Sequence, residues 1–396
     1  MVKITLTHKI RLKPTYKQEN YFRQACGVAR FTWNWALAEW KRQYEAGKKP
    51  TGLGLKRQFN AIKPVEFPWM YNVTKYASQE PFIFLQSAFK RFFNKKANYP
   101  QFKKKGIHDS FYIGCDHIKI EDKRVHIPKL GWVKMREALR FSGKVISATI
   151  SHIADRWFIS LNVELDQPPQ TCESQAGIGV DLGVRRLATL SNGEEFEGPK
   201  PLKKQLGKLK RLQRQLSRKQ KGSNNRNKAR IKVARLHYRI SCIRQDTLHK
   251  LTSYLSNNFA AIAIEDLNVK GMMSSHVLAR SIADMGFYEF RRQLGYKSQM
   301  RNNHIEVVDR WFPSSKRCSR CHVINDSITL SDRVFKCNNC GLEIDRELNA
   351  AINLESTVSS TGFQACGEKG AGSNGSLSET GLNEAGTKPC TDLYTF

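Results

Sequence analysis

Four cysteines near the end of the chain have the spacing of a metal site. Two Cys-x2-Cys pairs are separated by fifteen residues, and each pair can occupy one tight turn that presents both thiolates. Four thiolates complete a tetrahedron around Zn²⁺ and leave no open coordination position, so the predicted zinc is structural. The segment between the pairs, residues 322–336, predicts a short hairpin, and His322 is predicted to be a surface residue. The predicted zinc ligands are Cys318, Cys321, Cys337 and Cys340.

Two carboxylates in the second half of the chain each follow a short apolar run. Asp181 ends "GIGVD" and Glu265 ends "AIAIE", and both runs have the composition of buried strands. Acids in this position lie at the carboxyl edge of a sheet, where the ligand sites of α/β folds are found. A lone acid at a strand end is usually a cap or a turn residue. Two such acids in a basic protein favour Mg²⁺, which takes oxygen ligands and supports phosphodiester cleavage.

A third acidic segment directly follows the last cysteine. The stretch "CGLEIDRELNAAINL", residues 340–354, places Glu343, Asp345 and Glu347 at every second position before a predicted helix. Asp345 immediately precedes that helix, where aspartate is a favoured N-cap, so a structural role already accounts for it. Glu343 is predicted to be solvated. Residue type alone leaves open which of the three acids does chemistry.

The charge of the chain indicates a polyanionic partner. Lys and Arg number 66 against 35 Asp and Glu, which gives a formal net charge of +31. Nucleic acid is the leading candidate for such a partner. Leucines recur at 3–4 spacing from residue 202 to residue 216, and no acid occurs between Glu197 and Asp246. This pattern predicts a basic amphipathic hairpin of helices over residues 201–240 with a face toward phosphate; a merely solvated face is the alternative.

Periodicity divides the rest of the chain. Residues 1–14 predict a strand, residues 15–106 are mainly helical, and residues 107–168 contain the short alternating strands of a small barrel or sandwich. Residues 166–177 have the composition of a linker. Residues 356–396 are rich in Gly, Ser and Thr and are predicted to be disordered. No long apolar run or targeting segment is evident, so a cytosolic protein is expected.

Four motifs occur together in a characteristic order. "GVDLGV", "IEDLNV", the "CSRC…CNNC" ribbon and "DRELNAAINL" resemble the split RuvC-like nuclease domain of the TnpB family. "NWALAEWKRQYEAG", "SAFKRFFNKK" and "YPQFKKKG" resemble the N-terminal half of the same family. TnpB proteins are transposon-encoded RNA-guided endonucleases related to type V CRISPR effectors and to eukaryotic Fanzor proteins. The resemblance covers residues 1–355.

The resemblance implies a chain that combines α/β, all-β and helical parts. The nuclease domain would have an RNase H-like (RuvC) fold and would carry both the basic hairpin and the zinc ribbon as insertions. The expected parts are a wedge-like β-barrel (1–14 and 107–168), a helical recognition block that splits it (15–106), the RuvC-like nuclease domain (176–310 and 341–355) and the zinc ribbon (311–340).

The resemblance also implies an activity and its partners. The protein would bind a guide RNA transcribed from the end of its transposon, recognise a short motif beside the target, open double-stranded DNA and cut it with two Mg²⁺ ions. Base pairing would read the target, while a basic channel would hold the RNA–DNA heteroduplex by its backbone. A monomer without membrane association is expected, in the cytoplasm and on the nucleoid when it is bound to DNA.

The resemblance assigns roles to individual acids. Asp181 and Glu265 match two metal ligands of the family, whereas the usual third ligand, an aspartate, is replaced here by Glu347. The added methylene can move the carboxylate by ~1.5 Å, and Mg²⁺ tolerates little geometric error. Glu347 is the predicted third ligand, with Asp345 as a substitute or a weakened site as the alternatives. Asp266, beside Glu265, would point the other way along its strand and is predicted to be structural.

Two residues of the helical block match a spacing that the family uses beside the target-adjacent motif. Lys75 and Gln79 are four residues apart and would share one helical face. Glutamine can read adenine with two hydrogen bonds, and lysine can reach a base edge or a phosphate. The alternative is that both are ordinary exposed helix residues.

Three other functions fit parts of the sequence. The glutamate at residue 347 favours an RNA-guided DNA-binding regulator whose nuclease is weakened. An RNase H-like transposase would act on its element ends without a guide. A zinc-ribbon RNA-binding protein without chemistry would leave Asp181 and Glu265 unexplained. A Mg²⁺-dependent RNA-guided DNA endonuclease accounts for all of the motifs.

Overall fold

The structure is a computed structural model that describes residues 4–165, 176–275, 278–329 and 331–359. The described residues fall into two compact units, the first within residues 4–165 and the second within residues 176–359. The predicted linker, residues 166–177, lies almost wholly outside the described residues, as does most of the predicted tail. Among the described helices, none combines the length and the apolar character that crossing a bilayer requires.

The first unit combines a sheet with a helical block that lies between the first and second strands in sequence. Two short 3₁₀ helices, Pro68–Asn72 and Cys115–His117, connect these elements. The strands and α-helices are β1 (Ile4–Lys13), α1 (Tyr16–Glu45), α2 (Gly52–Glu66), α3 (Lys75–Phe93), β2 (Ser110–Gly114), β3 (Lys119–Glu121), β4 (Arg124–Ile127), β5 (Gly131–Met135), β6 (Lys144–Ile153) and β7 (Arg156–Leu165).

The strands of the first unit pair in the order β2-β6-β7-β1-β5-β4-β3. β1 shows the alternation that predicts a strand, because His8, Ile10 and Leu12 are buried and basic residues lie between them. Most of β1 pairs with β7, whereas its end pairs with β5, so β1 joins the two halves of the sheet. The pairings of the described strands end at β2 and β3 without closing, so the predicted barrel is observed as an open seven-stranded sheet.

α1 begins and ends where its sequence predicts. Thr15 and Gln18 form a capping box in which each side chain accepts the other's backbone N–H, and the chain leaves the helix before Gly47, whose φ is +73°. Aromatic side chains of the block pack inward: Trp40 stacks on Phe89 of α3 with ring centroids 4.2 Å apart. Strands and helices of this unit share one hydrophobic core.

The second unit is built on a mixed sheet, with a long helical hairpin and a cysteine-rich module. Its elements are β8 (Gly177–Asp181), β9 (Ala188–Leu190), β10 (Glu195–Phe196), α4 (Pro201–Ser217), α5 (Asn224–Asn258), β11 (Ala261–Glu265), α6 (Val269–Ser274), α7 (Ala279–Met285), α8 (Phe287–Arg301), β12 (His304–Val308), β13 (Val334–Lys336), β14 (Glu343–Asp345) and α9 (Arg346–Ser359).

The main sheet of the second unit has the strand order β10-β9-β8-β11-β12. β8, β9 and β10 form an antiparallel meander, and β11 and β12 continue the sheet parallel to β8. Ile264 of β11 pairs with Val180 of β8. The next residues, Glu265 and Asp181, therefore lie at the same carboxyl edge of the sheet.

The helix α9, the last of the described elements, packs directly on β8. A Cβ added to Gly179 would lie 1.9 Å from the carbonyl oxygen of Ala351 and 2.6 Å from the backbone nitrogen of Glu355. Only glycine permits this approach of the helix backbone to the strand. α9 continues to Ser359, so the predicted tail, residues 356–396, begins too early, and its remainder lies outside the described residues.

Two helices of the second unit differ from their predicted extents. The second helix of the basic hairpin does not end near residue 240, because Leu248, Leu251 and Leu255 continue its buried stripe to Asn258. The single helix predicted over residues 282–300 is two helices, α7 and α8. Gly286 separates them with a φ of +74°, a left-handed conformation that a continuous α-helix excludes.

The hairpin predicted between the two cysteine pairs is wrong. β13 pairs instead with β14, and the two strands flank the second pair, Cys337 and Cys340. The Cys-x2-Cys turn itself reverses the chain, so it supplies the hairpin connection that the sequence interpretation placed earlier. The strand β14 then leads without a break into α9.

Candidate functional site

Three candidate carboxylates come from three elements of the second unit. Asp181 ends β8, Glu265 ends β11, and Glu347 lies in the first turn of α9. Parallel strand pairing brings the first two to one edge, and the packing of α9 on β8 brings the third close to them. A Cβ added to Gly183, two residues after Asp181, would lie 3.7 Å from a carboxylate oxygen of Glu347.

The carboxylates disfavour one another's charged forms. Burial, followed by the charges of Glu265 and Glu347, raises the pKa of Asp181 to about 7. Burial and the charge of Asp266 also raise the pKa of Glu265. The charge of Arg346 opposes the rise in the pKa of Asp181 only in part, and the oxygen donors of the acids suit Mg²⁺. In the described part of the chain only the four cysteines bring three or more ligand atoms within 4.8 Å of one another, so the acids are spaced more widely than the thiols.

Arg186 is a basic residue of this site that the sequence interpretation missed. Its Nε lies 2.8 Å from Glu195, and its Nη1 lies 3.4 Å from Asp345 and 3.6 Å from Glu347. Thr189 donates a further hydrogen bond to Glu347 at 3.4 Å. Arg186 therefore offsets part of the negative charge and restrains the Glu347 carboxylate. The signal in the sequence was the pair of basic residues, Arg185 and Arg186, that follows soon after Asp181 at the end of β8.

The three acids of residues 343–347 have different surroundings. Oδ1 of Asp345 accepts the backbone N–H groups of Glu347 at 2.9 Å and Leu348 at 3.2 Å, so Asp345 caps α9 as predicted. Glu343 is exposed and pairs with Lys336 at 3.0 Å. The Glu347 side chain is 12% exposed against 37% for Asp345. Glu347 is therefore the most enclosed of the three.

A cavity of about 340 Å³ opens beside Glu265. Arg291 and Arg310 line it, and both bind Asp266, Arg291 at 2.5 Å. Hydrogen bonds from Arg291 and Arg310 lower the pKa of Asp266, so this acid is held as a structural partner of the arginines, as predicted. Two guanidinium groups beside a candidate metal ligand supply positive charge suited to a phosphate.

The four predicted zinc ligands form one compact cluster. Their sulfur atoms all lie within 4.8 Å of one another, with 3.6 Å between Cys318 and Cys340 and 3.5 Å between Cys321 and Cys337. A tetrahedron with Zn–S bonds of ~2.3 Å has S···S separations of ~3.8 Å, so the donor set fits Zn²⁺. His322, directly after the first pair, is exposed, as predicted.

Two buried asparagines attach α9 to the first cysteine pair, a role that the sequence interpretation missed. Oδ1 of Asn349 accepts the N–H of Ser319 at 3.0 Å, and its Nδ2 donates to the carbonyl of Arg317 at 2.8 Å. Asn353, one turn later, donates to the carbonyl of Ser314 at 2.8 Å. The i, i+4 spacing in "NAAIN" was the signal for a buried polar face. The helix that carries Glu347 is thus bonded to the zinc module.

The basic hairpin begins at Pro201 as predicted, although its second helix extends to Asn258. Leu202 and Leu209 of α4 pack against Leu236 and Ile240 of α5, while the Lys and Arg side chains of α4 are exposed. Its anchor was not predicted. Asp284 of α7, 2% exposed, accepts the backbone N–H groups at the start of α4 and pairs with Arg244 of α5 at 3.1 Å.

Lys75 and Gln79 lie in the first two turns of α3, in the other unit. The Lys75 side chain is 53% exposed, and its Nζ lies 3.7 Å from Asp116, which also accepts the hydroxyl of Tyr76. Gln79 is partly buried. The helical spacing agrees with the sequence, and contact with nucleic acid stays a prediction.

Family models match most of the chain. The model of the IS605 OrfB family, described as "Probable transposase", matches residues 160–276. A model described as "Cas12f1-like, TNB domain" matches residues 287–354, and one described as "Helix-turn-helix domain" matches residues 1–49. Within the last range the structure contains β1 and the single uninterrupted helix α1, not a helix-turn-helix.

Two relatives match nearly the whole sequence. The chain is 37% identical over 378 residues to "Putative RNA-guided DNA endonuclease InsQ" of Escherichia coli (strain K12), which covers 91% of this chain and 93% of that protein. It is 32% identical over 383 residues to "Putative RNA-guided DNA endonuclease" of Streptomyces pristinaespiralis, which covers 93% of this chain and 92% of that protein.

A solved structure, "Cryo-EM structure of the Cas12f1-sgRNA-target DNA complex", matches with a TM-score of 0.57 and 12% identity over 89% of this chain and 99% of that chain. The mixed sheet, the four-cysteine module and this likeness define the class of fold, that of the compact Cas12f1-type proteins. The sequence identity with the relatives then establishes membership: the chain belongs to the TnpB family, also called the IS605 OrfB family.

Proposed function

We propose that this chain is an RNA-guided DNA endonuclease of a transposon, which cuts guide-complementary double-stranded DNA beside a short target-adjacent motif in a Mg²⁺-dependent reaction. The names of its relatives in Escherichia coli and Streptomyces pristinaespiralis support guided DNA cleavage. The strand order β10-β9-β8-β11-β12, a meander extended by two parallel strands, supports an RNase H-like (RuvC) assignment for the second unit.

One observation carries the proposal: three acids from distant parts of the sequence approach one another at one sheet edge, in a chain of net charge +31. Asp181, Glu265 and Glu347 come from three separate elements, and their charges raise the pKa of Asp181. A basic protein gains nothing in stability from such mutual repulsion. The arrangement is explained if the acids hold divalent cations.

The acids and the arginines of the site would have different roles in the proposed reaction. Two Mg²⁺ ions would supply an activated water and stabilise the leaving oxygen of the cleaved phosphodiester. Asp181, Glu265 and Glu347 would hold the ions, and Asp181 would lose its proton as a cation binds. Arg186 would orient Glu347 from the side. The guanidinium groups lining the 340 Å³ cavity would attract the phosphate backbone of the strand to be cut.

The remaining parts would hold and present the nucleic acids. The cysteine cluster would bind a structural Zn²⁺ that fixes the start of α9. The basic hairpin would contact the backbone of the guide RNA, transcribed from the transposon end, or of its heteroduplex with the target. Lys75 and Gln79 would contact the target-adjacent motif, with the strands of the first unit forming the wedge beside it.

The decisive experiment supplies the guide. The protein is co-expressed with RNA from the genomic flank of its gene, and the purified complex is incubated with a plasmid carrying the matching target, with and without Mg²⁺. Cleavage is expected only when the guide, the target and Mg²⁺ are all present. A complex carrying Glu265→Gln is the matched control and should bind the same plasmid without cutting it.

The ion pair between Arg186 and Glu347 favours a second candidate, a guided DNA-binding regulator with a weakened nuclease, because it neutralises one ligand. The same assay separates the candidates. Guide-dependent binding without cleavage by the unaltered protein would select the regulator. Cutting or joining of element ends without any guide would select a transposase.

A further inference from the structure

The first unit contains a cavity that the proposed nuclease chemistry does not use. It has a volume of about 500 Å³, within the range of small-ligand sites, and it lies between α1 and the 3₁₀ helix Pro68–Asn72. Val28 and Val73 give it apolar walls. Other lining residues lie on α1 at helical spacing, so they form one face of that helix: Gln24, Gly27, Phe31 and Asn34.

An aromatic side chain forms one side of this cavity. Trp69 lines the cavity and is 45% exposed. Phe31 holds it in place from the protein side, with ring centroids 5.6 Å apart and an interplanar angle of 82°. An indole fixed in this way is a platform on which a planar ring can stack.

Amide groups lie at the mouth of the same cavity. The side chains of Gln24 and Asn72 are exposed, and neither makes a hydrogen bond to any residue in the described ranges. Amides of this kind can both donate to and accept from the edge of a nucleobase. The cavity therefore combines a stacking surface with edge-reading groups.

A basic segment is tied to the cavity at both of its ends. Asn34 bonds both backbone groups of Lys103, at 2.7 and 3.0 Å. At the other end, Asp109 accepts the N–H of Gly106 and pairs with Arg30 at 2.8 Å. Asn34 and Arg30 both line the cavity. The segment with the lysines at 103–105 is thus held next to the cavity-lining residues Asn34 and Arg30, with Nζ of Lys103 4.3 Å from the centroid of the Trp33 ring.

We infer that this cavity binds one unpaired nucleobase of a single-stranded nucleic acid. The base stacks on Trp69, its edge meets Gln24 and Asn72, and the flanking phosphates lie along Lys103–Lys105. The shared chemistry allows DNA or RNA as the source. The inference does not depend on the proposed cleavage, because binding is measured without Mg²⁺.

The test uses fluorescence anisotropy of the full-length protein with labelled 15-nucleotide single strands of DNA and of RNA. Stacking of one base contributes ~1–3 kcal/mol, so Trp69→Ala should weaken binding by roughly 5- to 150-fold on at least one of the two strands. Trp69→Phe should restore most of the affinity. Trp311→Ala, which removes an 84% exposed tryptophan from the other unit, is the matched control and should have little effect.

A second variant fills the cavity without removing the platform. A Cβ at Gly27 would meet only the Arg30 side chain, at 3.9 Å, so a side chain can start there without a backbone clash, and Gly27→Leu also improves the helix propensity of α1. It should weaken binding as much as Trp69→Ala while leaving the melting temperature equal or higher. A strand of the same length with abasic sites should bind the unaltered protein and Trp69→Ala equally. Unchanged affinity in both Trp69→Ala and Gly27→Leu, or the same loss in Trp311→Ala, would overturn the inference.

Discussion

Glu347 stands at the position that the family resemblance assigns to the third metal ligand, and two neighbouring side chains bind its carboxylate. Arg186 and Thr189 both bind its carboxylate, so the longer side chain is restrained at its far end. Asp345 is committed to capping α9 through two backbone N–H groups. The geometry therefore separates a residue that starts the helix from one that faces the other acids.

Substitutions at these two positions should have different consequences. Glu347→Ala should lower the cleavage rate by on the order of 100-fold or more while guide-dependent DNA binding persists, because one oxygen ligand is lost. Asp345→Ala should retain cleavage and lower the free energy of unfolding by about 1 kcal/mol through loss of the cap. Cleavage assays and denaturant titrations on the same preparations check both. Loss of cleavage in a fully folded Asp345→Ala protein alone would make Asp345 the ligand.

Asp181 should make the stability of the protein depend on pH when Mg²⁺ is absent. Its pKa is about 7 in the fold against an ordinary value of 3.8, so the folded state binds the proton more tightly. Its contribution to the free energy of unfolding is therefore present at low pH and is lost as the pH rises from about 4 to about 7.

The comparison that isolates this effect is Asp181→Asn, which cannot ionise. At pH 8 without Mg²⁺ the variant should be more stable than the unaltered protein by up to about 4 kcal/mol, and at pH 4 the difference should be small. Addition of Mg²⁺ should stabilise the unaltered protein more than the variant. A stability difference that does not change between pH 4 and pH 8 contradicts the assignment of repulsion to this site.

At the scale of elements, the position of α9 depends on a single missing side chain. Gly179→Ala would place a Cβ against the backbone of α9, which cannot move away as a flexible side chain could. The variant should lose roughly 3 kcal/mol or more of its free energy of unfolding, or keep α9 undocked and lose cleavage. Gly207→Ala in α4 is the control, because its Cβ would meet nothing within 4 Å. This variant should gain about 0.5–1 kcal/mol in its free energy of unfolding.

A substitution in α9 should also weaken zinc binding by the cysteine module. Asn349 is 0% exposed and bonds two backbone groups next to the first cysteine pair. Asn349→Ala leaves the N–H of Ser319 without its partner, whereas the carbonyl of Arg317 keeps its bond from Asn353. The loss costs ~1–3 kcal/mol and should speed the release of Zn²⁺ to a chromogenic chelator. Asn338→Ala, an exposed change between the second pair of cysteines, should release Zn²⁺ at the original rate. Equal release rates in the two variants would show that α9 does not support the module.

At the scale of the whole molecule, the excess of positive charge should appear as a salt dependence. Exposed lysines and arginines on α4 have no acidic neighbours on their own helix, so contact with phosphates would release counterions. Three Gln substitutions there should make the negative slope of log K against log[salt] for a short DNA duplex shallower by about 2–3 units. The positions are Lys204, Lys208 and Arg211.

The matched control removes the same number of charges from ion pairs. Arg23, Lys41 and Arg42 of α1 are paired with Glu19, Glu45 and Glu39. Gln at these three positions should change the slope by less than one unit, because the acids already neutralise them. Equal slopes for both triple variants would place the nucleic-acid contact elsewhere.

Features set by short segments could be predicted from the sequence, and features set by distant partners could not. The cysteine pairs, the acids at the ends of β8 and β11 and the cap at Asp345 each follow from a few neighbouring residues. Asp284 caps a helix 82 residues away, and Thr189 bonds an acid 158 residues away. Nothing local in the sequence specifies such pairs. The pairing of β13 was predicted wrongly for the same reason. Its partner β14 lies beyond the turn formed by Cys337 and Cys340.

The packing of α9 against Gly179 has a consequence for how the protein is made. The strand β8 leaves the ribosome long before α9, and translation of the 158 residues between Thr189 and Glu347 takes roughly 10–30 s. During that interval the groove over Gly179 has no helix to fill it, and the acidic edge has two of its three carboxylates. If Glu347 is the third metal ligand, as proposed above, the nascent chain has its complete set of acids only once α9 docks. Prematurely terminated chains would be basic proteins that still bind nucleic acid but do not cleave it.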